Sequence, residues 1–96
     1  MYKFPAVYIV SNQLNSVFYV GVTSALVKRI WEHKNHILKG FTHRYKLEKL
    51  VYYEAHERMA SAILREKQLK NWHREWKINL IKSQNPQFKD LYEEIL

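Results

Sequence analysis

The sequence contains no cysteine, and only two glycines and two prolines occur in its 96 residues. The lack of cysteine excludes disulfide bonds, thiolate zinc sites and cysteine nucleophiles, and it suits the reducing cytoplasm. So few glycines and prolines argue against long linkers. No apolar run approaches the about 18 residues of a membrane span, and the N-terminus lacks the apolar core of a signal peptide. We therefore expect one cytoplasmic domain over residues 1–96, with no membrane contact.

Acidic residues are also few: nine Asp and Glu stand against sixteen Lys and Arg, and the formal net charge is +7. The positive charge is concentrated in residues 28–49 and 65–82. A localised basic surface is expected where a protein contacts phosphate backbones, and a solvated, lysine-rich helix surface is the alternative. The basic residues expected to contact nucleic acid are Lys28, Lys34, Arg44, Lys67 and Lys70.

Hydrophobic periodicity divides the chain into three strands and three helices. The strands are predicted over residues 6–10, 17–22 and 50–54, and the helices over residues 25–38, 58–70 and 73–82. Thr23 and Ser24 are candidates for the N-cap of the first helix, and Gly40 for its C-terminal stop. A basic loop is expected over residues 41–46.

The order β-β-α-β-α-α predicts an α+β fold. The first two strands are joined by a short polar loop, which favours an antiparallel hairpin. With one further strand, a three-stranded, mainly antiparallel sheet flanked by helices is expected. Residues four positions apart share a helix face, so the third helix is predicted to pack on the core through Trp72, Trp76 and Leu80.

Glu66 lies where the second helix should be apolar. It shares a face with Met59, Ala62, Ile63 and Leu69 by helical spacing. Burying an unpaired carboxylate costs several kcal/mol, so Glu66 needs a cation, a proton or a position at the edge of the stripe. A structural ion pair and a metal site both satisfy this requirement.

His33 occupies a similar position on the first helix, in a stripe formed by Leu26, Ile30 and Ile37. Arg29 precedes it by one turn on the same face. A helix histidine is commonly a packed boundary residue, but a cation beside an imidazole also suits phosphoryl transfer, where negative charge develops.

Two tyrosines, Tyr8 and Tyr19, lie near the middle of the hairpin strands. Tyrosine in a strand usually serves packing, because its ring suits a half-buried pleated surface. Gly21 shares the face of Tyr19 by strand alternation and is expected to keep that face open for a ligand backbone.

Five segments in order resemble the GIY-YIG nuclease family. Ala6-Val7-Tyr8 corresponds to its first motif and Tyr19-Val20-Gly21 to its second, with Ala6 in place of the name-giving glycine. The segment from Gly21 to Lys34 is similar to the helix that carries the family's arginine, and the segment 64–70 to its glutamate helix. Trp72 and Asn85-Pro86 match the final part of small stand-alone bacterial endonucleases. The resemblance covers nearly the whole chain.

The resemblance implies hydrolysis of phosphodiester bonds, in DNA, with one Mg²⁺ or Mn²⁺ ion. In this interpretation Glu66 holds the metal, and Tyr8 is, or positions, the general base. Arg29 stabilises charge on the scissile phosphate, while Tyr19 and His33 assist in the same pocket. Asn85 completes the catalytic set, with Asn79 as the other candidate for its role.

Two other functions remain open from the sequence. The first is a nucleic-acid-binding module of the same fold that does not cleave, and that uses the basic helices and the aromatic residues around Phe41. The second is a protein-interaction domain whose basic face contacts an acidic partner.

Overall fold

The computed structural model describes residues 4–96 of the chain. Three strands lie within that range and form one sheet in the order β2-β1-β3: β1 is Ala6–Ser11, β2 is Phe18–Thr23 and β3 is Lys49–Ala55. Both strand pairs are antiparallel. The predicted hairpin and the predicted α+β class are therefore confirmed, and the sequence-based strand bounds are correct to within one residue.

The helices of the described chain are α1 (Leu26–Lys34), the single turn α2 (Phe41–Arg44), α3 (Met59–Lys70) and α4 (Arg74–Gln84). A 3₁₀ turn follows at Tyr92–Ile95. The segment 41–46 was expected to be a loop, but it contains α2. The sequence did not predict this helix because a single turn is too short to show helical periodicity. No helix within residues 4–96 is long and apolar enough to cross a membrane.

Helix α1 ends four residues earlier than predicted. The side-chain amide of Asn35 donates to the carbonyl of Trp31, and His36 adopts a positive φ of 56°, which ends the helical path. Ile37 therefore lies outside the helix and is 55% exposed, so its assignment to the apolar stripe was wrong. The N-cap position is Ala25. The backbone N–H of Ala25 donates to the hydroxyl oxygen of Thr23.

The central strand β1 is buried on both faces. Ala6, Tyr8 and Val10 pack on one face with Leu26 and Ile30 of α1. On the opposite face, Val7 and Ile9 pack with the buried residues of α3 and α4, which are Ala62, Leu69 and Ile81. Strand alternation thus directs Tyr8 toward α1 and away from α3.

Helix α4 is attached to the core by Ile81, with Trp72 and Leu80 packed beside it. Trp76 is 49% exposed, and its ring lies edge-on to Trp72 and His73 at the surface. The expectation that Trp76 packs on the core was therefore wrong. Helical spacing identified the correct side of α4 but not how far along it the core extends.

Candidate active site

A cavity of about 270 Å³ opens where β1, β2, α1 and α2 meet, and we call it the tyrosine cavity. It is lined by Tyr8, Tyr19, Arg29, His33, Leu38, Lys39, Phe41 and Thr42. Four of the six residues that the sequence predicts to be catalytic lie here together. They come from two strands and one helix, which places them on rigid elements.

Tyr8 and His33 form a buried hydrogen-bonded pair in the tyrosine cavity. The hydroxyl oxygen of Tyr8 lies 3.0 Å from Nε2 of His33, and the rings meet edge-on. Tyr8 is 1% exposed and His33 is 5% exposed. Nδ1 of His33 has no hydrogen-bond partner among residues 4–96. The structure thus aligns a phenol and an imidazole for transfer of a proton between them.

Burial determines the charge of this pair. Burial raises the pKa of Tyr8 well above its usual value, and the nearby charge of Arg29 opposes this only in part. Burial, and secondarily Arg29, lowers the pKa of His33 to about 4. At neutral pH the phenol is therefore protonated and the imidazole is neutral.

The lowered pKa of His33 predicts a contribution to acid sensitivity. Between about pH 6.5 and 4, the unfolded chain binds up to one more proton at this residue than the folded chain. The free energy of unfolding should therefore decrease as the pH falls, by at most about 1.4 kcal/mol per pH unit from this residue. Urea denaturation between pH 7 and 4.5 should show a weaker pH dependence in His33→Gln. The exposed His73→Gln should behave as wild type, and equal slopes in all three proteins would contradict the assignment.

Arg29 lies at the mouth of the tyrosine cavity, one turn before His33 on α1. Its Nε is 3.4 Å from a carboxylate oxygen of Glu32, and its side chain is 40% exposed. The i, i+3 pair restrains the guanidinium without burying it. A planar, permanently charged group in this position can make bidentate contacts to a phosphate that enters the cavity.

Glu66 is partly buried on α3, with 16% of its side chain exposed. It lies at the edge of the apolar stripe, because Ala62 and Leu69 are buried whereas Ile63 is 38% exposed. Its carboxylate is 3.3 Å from Nζ of Lys70, which in turn lies 5.2 Å from the ring centroid of Tyr19. Glu66 is not among the residues that line the tyrosine cavity, but its charge contributes to the raised pKa of Tyr8. Glu66 thus lies beside the cavity, with a cation between it and Tyr19.

A metal site would have to be built from few protein ligands. Residues 4–96 contain no group of three or more His, Cys, Asp or Glu side chains that could hold an ion. Mg²⁺ retains several waters and is commonly held by one or two carboxylates together with substrate phosphates. A single partly buried carboxylate that lies near a phosphate-sized cavity fits this ion, whereas it does not fit zinc, which takes at least three protein ligands.

Gly21 serves a purpose that differs from the predicted one. It pairs with Tyr8 across the hairpin, and a Cβ atom at Gly21 would lie 2.3 Å from Cζ of Tyr8. The ring of Tyr8 therefore fills the space that the sequence analysis left open for a ligand backbone. Glycine is needed here so that the phenol can lie across β2 and reach His33.

Asn85 does not line the tyrosine cavity, and its expected place in the catalytic set stays a prediction. Its side-chain amide donates to the carbonyls of Val51 and Lys89, at 3.1 and 2.8 Å, and its Oδ1 accepts the N–H of Lys89 at 3.0 Å. Asn85 is 5% exposed. Its hydrogen bonds connect β3 to the C-terminal segment.

Replacement of Asn85 by alanine should therefore destabilise the fold. One buried and two partly buried backbone groups would lose their partners, so we expect a loss of about 2–3 kcal/mol and a Tm roughly 10 °C lower. Asn79→Ala, at the exposed alternative position on α4, should change stability by less than about 0.5 kcal/mol. Thermal denaturation of both variants tests this. If Asn85→Ala were as stable as the wild type, the hydrogen bonds of Asn85 would not be important for the stability of the fold.

Lys34 makes contacts within the chain, and its expected role as a nucleic-acid contact stays a prediction. Its ammonium group donates to the carboxylate of Asp90 and to the carbonyl of Glu48, and it lies 5.1 Å from the ring centroid of Tyr92. Lys34 therefore holds the C-terminal segment against α1. Of the other predicted contacts, Lys28, Arg44 and Lys67 are exposed, and Lys70 is paired with Glu66.

The tyrosine cavity is also lined by three residues that were not predicted as site residues from the sequence: Leu38, Lys39 and Thr42. Leu38 and Lys39 belong to the segment that links α1 to α2, and Thr42 lies in α2 itself. In the linking segment, His36 and Gly40 adopt positive φ angles of 56° and 93°. These two turns fold the segment back over Tyr19. Gly40 before an aromatic residue was the only local signal of a reversal, and hydrophobic periodicity does not detect one.

One of three comparisons with known proteins gave a match. A family model described as the GIY-YIG catalytic domain matches residues 4–79, which include Tyr8, Tyr19, Arg29, His33 and Glu66 but not Asn85. No curated protein and no solved structure matches the chain significantly. Members of the matched family are generally endonucleases that act on nucleic acid with a divalent metal. On this match and on the strand order and helices that fit its fold, the chain belongs to the GIY-YIG family and has a nuclease-type fold.

Proposed function

We propose that this protein is an endonuclease that hydrolyses phosphodiester bonds of DNA and depends on one Mg²⁺ or Mn²⁺ ion. The observation that carries the proposal is the convergence of Tyr8, His33 and Arg29 in one cavity. A hydrogen-bonded phenol and imidazole and a partly exposed guanidinium meet there within a space that accommodates a phosphate. Charge stabilisation and positioning are the main requirements for phosphoryl transfer.

Arg29 binds the scissile phosphate in this proposal. Its restrained guanidinium faces the cavity and neutralises the charge that develops on the phosphate oxygens in the transition state. Glu66 would hold the metal ion, which when bound acts as a Lewis acid toward a phosphate oxygen. Tyr19 borders the cavity between these two groups, and Lys70 lies against its ring.

Tyr8 and His33 act as a single proton acceptor. With its pKa raised by burial, Tyr8 is protonated at neutral pH and cannot serve alone as a base. Its hydroxyl can accept a proton from the attacking water if its own proton passes at the same time to Nε2 of His33. This step requires neutral His33 with its proton on Nδ1, and the lowered pKa of about 4 keeps the imidazole neutral.

The direct test is cleavage of supercoiled plasmid DNA by the purified protein. Nicked or linear product should form with Mg²⁺ or Mn²⁺ and should not form in EDTA. Glu66→Gln serves as the variant that separates the protein's own activity from contamination. Product that forms equally in EDTA, or equally with the variant, would contradict the proposed chemistry.

A nucleic-acid-binding module that does not cleave is the second candidate. The ion pair of Glu66 with Lys70 favours it, because this carboxylate already has a cation in place of a metal. In that case neither wild type nor variant cuts any DNA, while both bind it with a steep dependence on salt concentration.

A further inference from the structure

We propose that a row of aromatic rings beside the tyrosine cavity binds an unpaired nucleotide base next to the phosphate that is cleaved. The row consists of Tyr19, Phe41 and Tyr45, and we call it the aromatic row. The inference rests on the proposed function, and it names the substrate class of that site as nucleic acid with a single-stranded segment.

The aromatic row leads continuously outward from the cavity. The ring centroids of Tyr19 and Phe41 are 6.3 Å apart, and those of Phe41 and Tyr45 are 4.7 Å apart, with the planes tilted by 34° and 47°. Tyr19 and Phe41 line the cavity, while Tyr45 follows Phe41 by one helical turn. A nucleotide chain whose phosphate enters the cavity would therefore pass over these rings.

The outer two rings are exposed to a degree that core packing does not explain. Phe41 is 49% exposed and Tyr45 is 41% exposed, although they contact each other. Burial is the source of the free energy with which a ring stabilises a fold, so the exposed parts of these two rings contribute little to stability. Two adjoining rings that are each nearly half exposed offer apolar surface to a flat ligand.

Cations surround the aromatic row. The guanidinium carbon of Arg44 lies 5.6 Å from the ring centroid of Tyr45, and Nζ of Lys70 lies 5.2 Å from that of Tyr19. Lys39 also lines the cavity. Aromatic rings for bases, combined with positive charge for the backbone, are the arrangement by which proteins bind single-stranded nucleic acid.

Duplex DNA would use only half of this surface. Its bases are stacked on each other inside the helix, so it presents phosphates to the cations but no base face to the rings. An unpaired base uses both. Stacking on an aromatic side chain contributes roughly 1–3 kcal/mol per base, so discrimination against paired DNA should be large.

The first experiment requires no variant. Three labelled hairpins are compared by fluorescence anisotropy in EDTA: one blunt, one with a short unpaired arm, and one with the same arm lacking its bases. Arms of both polarities are used. We expect the arm with bases to bind about 5- to 100-fold more tightly than the abasic arm of the same charge. Equal affinity for both arms, at both polarities, would overturn the proposal.

Variants then assign the effect to the aromatic row. Phe41→Ala and Tyr45→Ala should lose the preference for the arm with bases and retain the affinity for the blunt hairpin. Trp76→Ala removes a ring that is exposed to the same extent as Phe41 but lies on α4, and it should retain the preference. 2-Aminopurine in the arm should be quenched on binding to wild type and not to Tyr45→Ala. A preference that persists in both variants would refute the role of the row.

Failure of the nuclease proposal can be distinguished from failure of the base-binding proposal, because these binding measurements contain no metal and no cleavage step. If the protein prefers the arm with bases but never cuts DNA, the aromatic row is supported as a binding site and the nuclease proposal is wrong. If the protein cuts DNA but shows no such preference, the nuclease proposal is supported and the base-binding proposal is wrong.

Discussion

Replacement of Glu66 by glutamine is expected to abolish metal-dependent cleavage and to leave the fold intact. The substitution keeps the shape of the side chain but removes the charge that a hard divalent cation requires. Loss of this group should lower the rate of plasmid nicking by at least about 100-fold at every Mg²⁺ concentration. Stability should change little, because a partly exposed pair such as Glu66 with Lys70 contributes at most about 1 kcal/mol.

A second readout for Glu66 is independent of activity. Mn²⁺ should raise the Tm of the wild type, since a ligand that binds only the folded state stabilises it, and it should not raise the Tm of Glu66→Gln. Glu75→Gln, at an exposed carboxylate on α4, is the matched control and should behave as wild type in both assays. Full activity of Glu66→Gln would show that the metal binds elsewhere.

Replacement of Tyr8 by phenylalanine is expected to have the second large effect, on catalysis and on stability together. Without the hydroxyl, no group accepts the proton of the attacking water, so kcat should fall about 100- to 10,000-fold. The variant also leaves Nε2 of His33 buried without its partner, at a cost of about 1–3 kcal/mol. KM should change little, because Arg29 and not Tyr8 carries the phosphate contact in this proposal.

Tyr52→Phe is the matched control for Tyr8→Phe. Tyr52 is 6% exposed and packs on the opposite face of the sheet, so its variant removes a buried hydroxyl without touching the cavity. It should lose stability but keep kcat when assayed well below its Tm. If Tyr8→Phe retained the wild-type kcat, the pair of Tyr8 and His33 could not be the proton acceptor.

Much of the fold could be read from local pattern. Each strand of the sheet is a short β-branched and aromatic run, and its bounds followed to within one residue. The end of α1 was placed wrongly, because it depends on a side-chain amide bond at Asn35 and a positive φ at His36. Neither feature changes the hydrophobic pattern, so periodicity extended the helix to Leu38.

The site was predicted in part. Arg29 and His33 are one helical turn apart, so their common face follows from the sequence, and the tyrosines follow from the motif resemblance. Lys34 and Asn85 were assigned by charge and by motif. In the structure Lys34 pairs with Asp90, which lies 56 residues away in the chain. The side-chain amide of Asn85 donates to backbone carbonyls. A partner so distant in sequence leaves no local signal.

The sequence by itself therefore determined which side chains are available and which of them share a face, because spacing along a helix or strand sets direction. Only the tertiary structure decided how Tyr8 is used. The fold places its ring against Gly21, buries its hydroxyl with His33 and thereby raises its pKa. The fold also turns the segment after α1 back, so that Phe41 joins Tyr19 at the cavity. Burial and partner choice arise from segments that meet only on folding, and they set the chemistry of this site.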